Sequence, residues 1–121
     1  MKHCLVVDDS NSIRKVARKI LQDAGFRVSD SETRGDALRL CADEMPDCIV
    51  LDWQMPDGDA ITFLNKLRGL PRGAHPKVVY LTSENDPLQV ARVLRSGADL
   101  HMMKPFDEAT FLRPLAEAGL V

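Results

Sequence analysis

Four short apolar runs constrain this chain more than any other feature: Cys4-Leu5-Val6-Val7, Cys48-Ile49-Val50-Leu51, Val78-Val79-Tyr80-Leu81 and the weaker Leu100-His101-Met102-Met103. They are continuous in apolar character rather than alternating, which is the pattern of strands covered on both faces, as in a parallel sheet. Segments with helical spacing lie between them. Residues 12–24 place Ile13, Val16, Ala17, Ile20 and Leu21 on one face, with Gly25 as the stop. Further helices are expected over roughly 35–44 and 59–68. A fourth starts with Asp86 as its cap and Pro87 in its first turn, and Gly97 closes it. The last begins after Asp107 and heads toward Ala118, with a kink or early end expected at Pro114, since an interior proline costs about 3 kcal/mol. A shorter, more polar strand over residues 27–29 completes five alternating units. That alternation implies right-handed crossovers and an α/β, doubly wound parallel sheet with helices on both faces.

Composition narrows the class of protein. The 121 residues fit one domain, expected to cover 1–121. Sixteen Lys and Arg against 18 Asp and Glu leave a formal charge of −2, so no global positive field exists to recruit nucleic acid or an anionic membrane. No apolar run approaches the roughly 20 residues of a membrane helix. The apolar stretch at the N-terminus is too short for a signal peptide and runs directly into acidic residues. Cys4, Cys41 and Cys48 have no metal-motif spacing and suit buried thiols in a reducing cytosol. The loop from Leu70 to Pro76, with two prolines and Gly73, reads as a turn-rich connector.

Sheets of this kind bind ligands beyond the carboxyl ends of their strands. Asp8-Asp9 follows the first strand, Asp52 ends the third, Thr82-Ser83 follows the fourth and Lys104-Pro105 follows the fifth. Each long apolar run therefore delivers a polar or ionisable group to one edge. Carboxylates crowded there repel one another unless a cation lies between them, and a hard divalent ion such as Mg2+ prefers oxygen ligands. A lysine and a hydroxyl at the same rim suit an incoming phosphoryl oxygen. The set describes a carboxylate that accepts a phosphoryl group.

Val6-Val7-Asp8-Asp9-Ser10, Val50-Leu51-Asp52-Trp53-Gln54-Met55-Pro56-Asp57-Gly58, Leu81-Thr82-Ser83, and Gly97-Ala98-Asp99 leading to Met103-Lys104-Pro105-Phe106 closely resemble the receiver domain of bacterial two-component response regulators, of the stand-alone chemotaxis-regulator type. The resemblance covers essentially the whole chain. It implies a flavodoxin-like fold with strand order 2-1-3-4-5. It also implies that Asp52 is the phosphoacceptor, that Asp9 and Asp52 ligate Mg2+ with the carbonyl of Gln54, and that Asp8 supports the metal through water. Thr82 becomes the switch hydroxyl, Lys104 the phosphate partner, and Pro105 follows through a cis bond. Gln54 and Glu84 resemble positions that tune the lifetime of the acyl phosphate. The family usually carries Tyr or Phe three residues before the lysine, whereas this chain has His101, read either as an exposed strand-end residue or as the switch ring.

The implied phosphodonor is a sensor histidine kinase or a histidine phosphotransfer protein. With the chain stopping soon after the fifth helix, output is expected through a protein target contacting the fourth helix, fifth strand and fifth helix, at Arg92, Arg95, His101 and Arg113. Arg14, Lys15, Arg18 and Lys19 on the first helix read either as a solvated face or as a docking surface. Competing readings are a phosphate sink or relay intermediate, a receiver-shaped module that is never phosphorylated, and a dehalogenase-type phosphatase. The last normally needs Asp-x-Asp after the first strand, where this chain has adjacent Asp8-Asp9.

Overall fold

The computed structural model describes residues 1–83 and 86–121. Its strands are β1 (His3–Val7), β2 (Arg27–Ser31), β3 (Cys48–Asp52), β4 (Lys77–Thr82) and β5 (Leu100–Met103). The helices are α1 (Asn11–Asp23), α2 (Arg34–Asp43), α3 (Ala60–Arg68), α4 (Pro87–Arg95) and α5 (Glu108–Glu117). The sheet is parallel in the order β2-β1-β3-β4-β5, as expected.

Alternation along each apolar run feeds two cores, because successive strand side chains point to opposite faces. Leu5, Val7, Ile49, Leu51, Val78 and Tyr80 pack on the face covered by α2, α3 and α4, against Ala37, Phe63, Leu64, Leu67 and Val93. Cys4, Val6, Cys48, Val50, Val79, Leu81 and Met102 pack on the other, against Ala17, Ile20 and Leu21 of α1 and Phe111 and Leu115 of α5. Both faces being covered is why the runs show no polar alternation. The three cysteines are buried free thiols, and burial pushes the Cys41 thiol up to about 11.

Differences from expectation lie at the edges of elements. α1 starts one residue earlier than expected because Ser10 caps it, accepting from the Ile13 amide at 3.3 Å. Val16 does not join its apolar face; it is 49% exposed at the margin of the stripe formed by Ala17, Ile20 and Leu21. β2 extends through Asp30 and Ser31, beyond the expected 27–29, because these polar residues pair in register with Val6 and Val7. α5 does not end at Pro114: it continues to Glu117, with Phe111, Pro114 and Leu115 buried. Packing of that face offsets the interior proline. Among the described residues, no helix is long and apolar enough to cross a membrane.

Candidate phosphoryl site at the carboxyl edge of the sheet

Hydrogen bonds of the sheet continue one residue past the strands at their carboxyl ends, and this fixes the backbone of the site. The Asp8 amide donates to the Ser31 carbonyl at 3.1 Å, the Trp53 amide to Leu81 at 2.8 Å, and the Lys104 amide to Thr82 at 2.8 Å. Parallel register thus carries Asp8, Asp52, Thr82 and Lys104 to one edge. Asp8, Asp52 and Thr82 are buried, at 1%, 3% and 2% exposure, while Asp9 is exposed.

Local hydrogen bonds orient the first acidic pair. Asp8 Oδ1 accepts from the Ser10 amide at 2.8 Å, so the turn that displays the carboxylates also places the cap of α1. Arg14 Nη1 donates to the Asp8 carbonyl at 2.7 Å. Arg14 and Arg18 both reach Asp30 of β2, at 3.4 and 3.0 Å. Two of the four cations considered for docking on α1 are therefore committed to the sheet, and Lys15 and Lys19 make up the exposed part of that face.

Lys104 Nζ lies 2.8 Å from Asp52 Oδ1 and 3.3 Å from Asp8 Oδ2. Burial raises the Asp52 carboxyl above its ordinary value, with the hydrogen bond from Lys104 opposing and the charge of Asp8 adding to the rise. For Lys104, burial acts to lower the ammonium, but the hydrogen bond and attraction to Asp52, together with Asp8, outweigh it and the net shift is upward. Each group's shift is thus set by burial and by its partner across the 2.8 Å contact. Carboxylate oxygens of Asp8, Asp9 and Asp52 lie within 4.8 Å of one another, a donor set that fits a hard divalent cation. A cleft of about 540 Å³ opens over this edge, lined by Asp9, Asp52, Trp53, Gln54, Ser83 and Lys104.

Thus Asp8, Asp9, Asp52, Gln54, Thr82 and Lys104 converge at one edge. The Lys104–Pro105 bond is cis. His101 stands exposed on β5, opposite Tyr80 of β4 and outside this cleft. Glu84 lies outside the described residues. Arg34 was not evident from sequence: buried at the start of α2, it donates from Nη2 to the carbonyls of Asp52 and Trp53 at 3.0 and 3.2 Å. An arginine at a helix start reads as a solvated charge; the one available signal is that it follows β2 at the same edge as the other site residues.

A sheet of this order with a lysine-bridged carboxylate cluster at its carboxyl edge defines a receiver module. A model of the response regulator receiver domain matches residues 4–116, and the chain belongs to that family. The KDP operon transcriptional regulatory protein KdpE of Escherichia coli (strain K12) is 35% identical over 106 residues, covering 88% of this chain and 46% of that protein. KdpE of Mycobacterium tuberculosis (strain H37Rv) is 34% identical over 114 residues, covering 94% and 49%. The chain spans about half the length of these curated relatives. Among solved structures, the chemotaxis response regulator CheY4 of Vibrio cholerae superposes with a TM-score of 0.91 at 31% identity, covering 97% of this chain and 98% of that one. The NtrC4 receiver domain, solved as a beryllofluoride-activated dimer, gives 0.89 at 29% identity, covering 98% and 96%. Receiver domains are signalling modules of two-component systems that work with histidine kinases or phosphotransfer proteins and with downstream targets.

Proposed function

We propose that this receiver accepts a phosphoryl group on Asp52 from a phosphohistidine of a sensor histidine kinase or a histidine phosphotransfer protein, and signals by a phosphorylation-dependent protein contact. The observation that carries this reading is the buried Asp52 carboxylate, bridged by Lys104 at 2.8 Å and flanked by Asp8 and Asp9 under an open cleft. An Asp52 oxygen attacks phosphorus, the phosphorus–nitrogen bond of the donor breaks, and its imidazole leaves with the bonding pair. The product is an acyl phosphate.

Charge in such a transfer spreads over the equatorial oxygens, so positioned cations and donors supply most of the stabilisation. Lys104 shifts its hydrogen bond from Asp52 to a phosphoryl oxygen, and the Thr82 hydroxyl donates to another. Asp9, Asp52 and the Gln54 carbonyl would hold Mg2+, with Asp8 supporting through water. When bound, the ion supplies the positive charge that lets a further anion enter a carboxylate cluster. Gln54, at the cleft wall, controls access of hydrolytic water. The beryllofluoride-activated form of the similar NtrC4 receiver supports assigning this chemistry here.

The test is intact-mass analysis after incubation with a small phosphodonor. One phosphoryl adduct is expected in Mg2+, none in chelator and none in Asp52→Asn. Equal labelling of Asp52→Asn, or labelling indifferent to chelator, overturns the reading.

A further inference from the structure

Arg34 is 3% exposed, and its guanidinium serves three backbone carbonyls of one segment. Nη2 donates to Asp52 and Trp53 at 3.0 and 3.2 Å, and Nη1 donates to Gly58. The segment answers in kind. The Asp57 carboxylate accepts from the amides of Arg34 at 2.7 Å and Gly35 at 3.1 Å, at the N-terminus of α2. Residues 52–58 are thereby tied to α2 in both directions, and a bridge between Met55 and Gly58 closes the segment on itself. Gln54 lies between the ties.

The arrangement has a cost. Arg34 Nε is buried with no hydrogen-bond partner among the described residues, and an unpaired buried donor opposes folding. What the guanidinium provides in return is a fixed shape for the one segment that carries both Asp52 and the Gln54 carbonyl. A planar fork of donors can hold three carbonyls at once, which a lysine ammonium on a flexible stem cannot do with the same geometry.

We propose that Arg34 is a positioning residue for the metal. It holds the 52–58 segment in its ligand-ready form before Mg2+ arrives, so that binding does not have to order it. This rests on the reading of Asp52 and Gln54 as ligands given above.

The experiment compares the parent with Arg34→Lys, Arg34→Met and Asp57→Ala, each first shown to unfold cooperatively. Three quantities are read: amide hydrogen exchange of residues 52–58 in metal-free protein, the Mg2+ midpoint from Trp53 fluorescence, and phosphoryl acceptance at limiting and saturating Mg2+. Folded Arg34→Lys is expected to show faster exchange confined to that segment and a Mg2+ midpoint raised about 10–100-fold, the usual effect of losing a group that orients a metal ligand. Its acceptance should return toward the parental rate at saturating Mg2+. A parental midpoint in folded Arg34→Lys and Arg34→Met overturns the proposal, as does a parent that binds no Mg2+. Exchange raised across the whole domain with an unchanged midpoint also overturns it, since that is a purely structural role. If neither Arg34 variant folds, Asp57→Ala decides: a raised midpoint supports the tie and a parental one refutes it. A parent that binds Mg2+ but takes no phosphoryl group refutes the Asp52 assignment, while the midpoint comparison still decides the role of Arg34.

Discussion

A lysine ammonium between two buried carboxylates governs the electrostatics of the resting site. Lys104→Met leaves Asp8 and Asp52 facing one another without that charge, and an expected loss of about 1–3 kcal/mol follows from stranding a buried charged group. Urea unfolding in chelator measures it. Added Mg2+ should restore more stability to the variant than to the parent, since a ligand bound only by the folded state stabilises by mass action and here also supplies the missing charge; equal responses would contradict this account. Asp52 itself makes a second prediction. Burial raises its carboxyl, so between 3.8 and the raised value the folded state holds a proton that the unfolded state has released. Stability therefore falls as pH climbs through that window, and the deficit persists at neutral pH. Asp52→Asn should be more stable than the parent at neutral pH, with the difference narrowing as pH falls toward 3.8. Denaturation at a series of pH values in chelator checks the slope, and a pH-independent difference would locate the effect elsewhere.

Two glycines separate steric from conformational demands within the connectors. A Cβ on Gly73 would sit 2.0 Å from the Leu67 carbonyl oxygen and 2.8 Å from that of Leu70, both backbone atoms that cannot step aside. A Cβ on Gly25 would meet nothing within 4 Å among the described residues, but the backbone there sits at a φ of +97°. Gly73→Ala is expected to cost about 3 kcal/mol, and Gly25→Ala about 1 kcal/mol; thermal unfolding of the two variants would contradict the assignment if their order were reversed. The elements flanking these turns were largely legible from sequence, because strands buried on both faces leave unbroken apolar runs. The site was legible for the same reason, since each run ended in a group with chemistry at one edge. What escaped were features decided by distant partners. Asp30 and Ser31 belong to β2 because Arg14, Arg18 and the Asp8 amide meet them there. Pro114 stays inside α5 because its face is buried. The role of Arg34 depends on carbonyls up to 24 residues away, which no local pattern announces.

Seen whole, the molecule places its proposed acceptor and its proposed switch on different surfaces. His101 borders a cavity of about 290 Å³ with Pro105, Arg113 and Pro114, between β5 and α5. If that ring couples the two surfaces, His101→Ala should leave phosphorylation of Asp52 within about twofold while the affinity gain of beryllofluoride-loaded protein for a target collapses from the roughly 5–150-fold usual for allosteric coupling. Calorimetry with candidate targets measures this, and an unchanged gain would make the ring a bystander. A phosphate sink would instead show no affinity gain for any target while Asp52 remained essential for draining phosphate from its kinase. The long reach of Lys104 also has a temporal side. It contacts Asp8 across 96 positions and Asp52 across 52, so a ribosome finishes both carboxylates well before it makes their ammonium. A nascent chain that has paired β1 with β3 brings Asp8 and Asp52 to one edge before the ammonium that bridges them exists. The carboxylate pair is therefore charge-balanced by Lys104 only once β5 has been synthesised and docked, so the proposed acceptor matures with the end of the sheet rather than with its own strand.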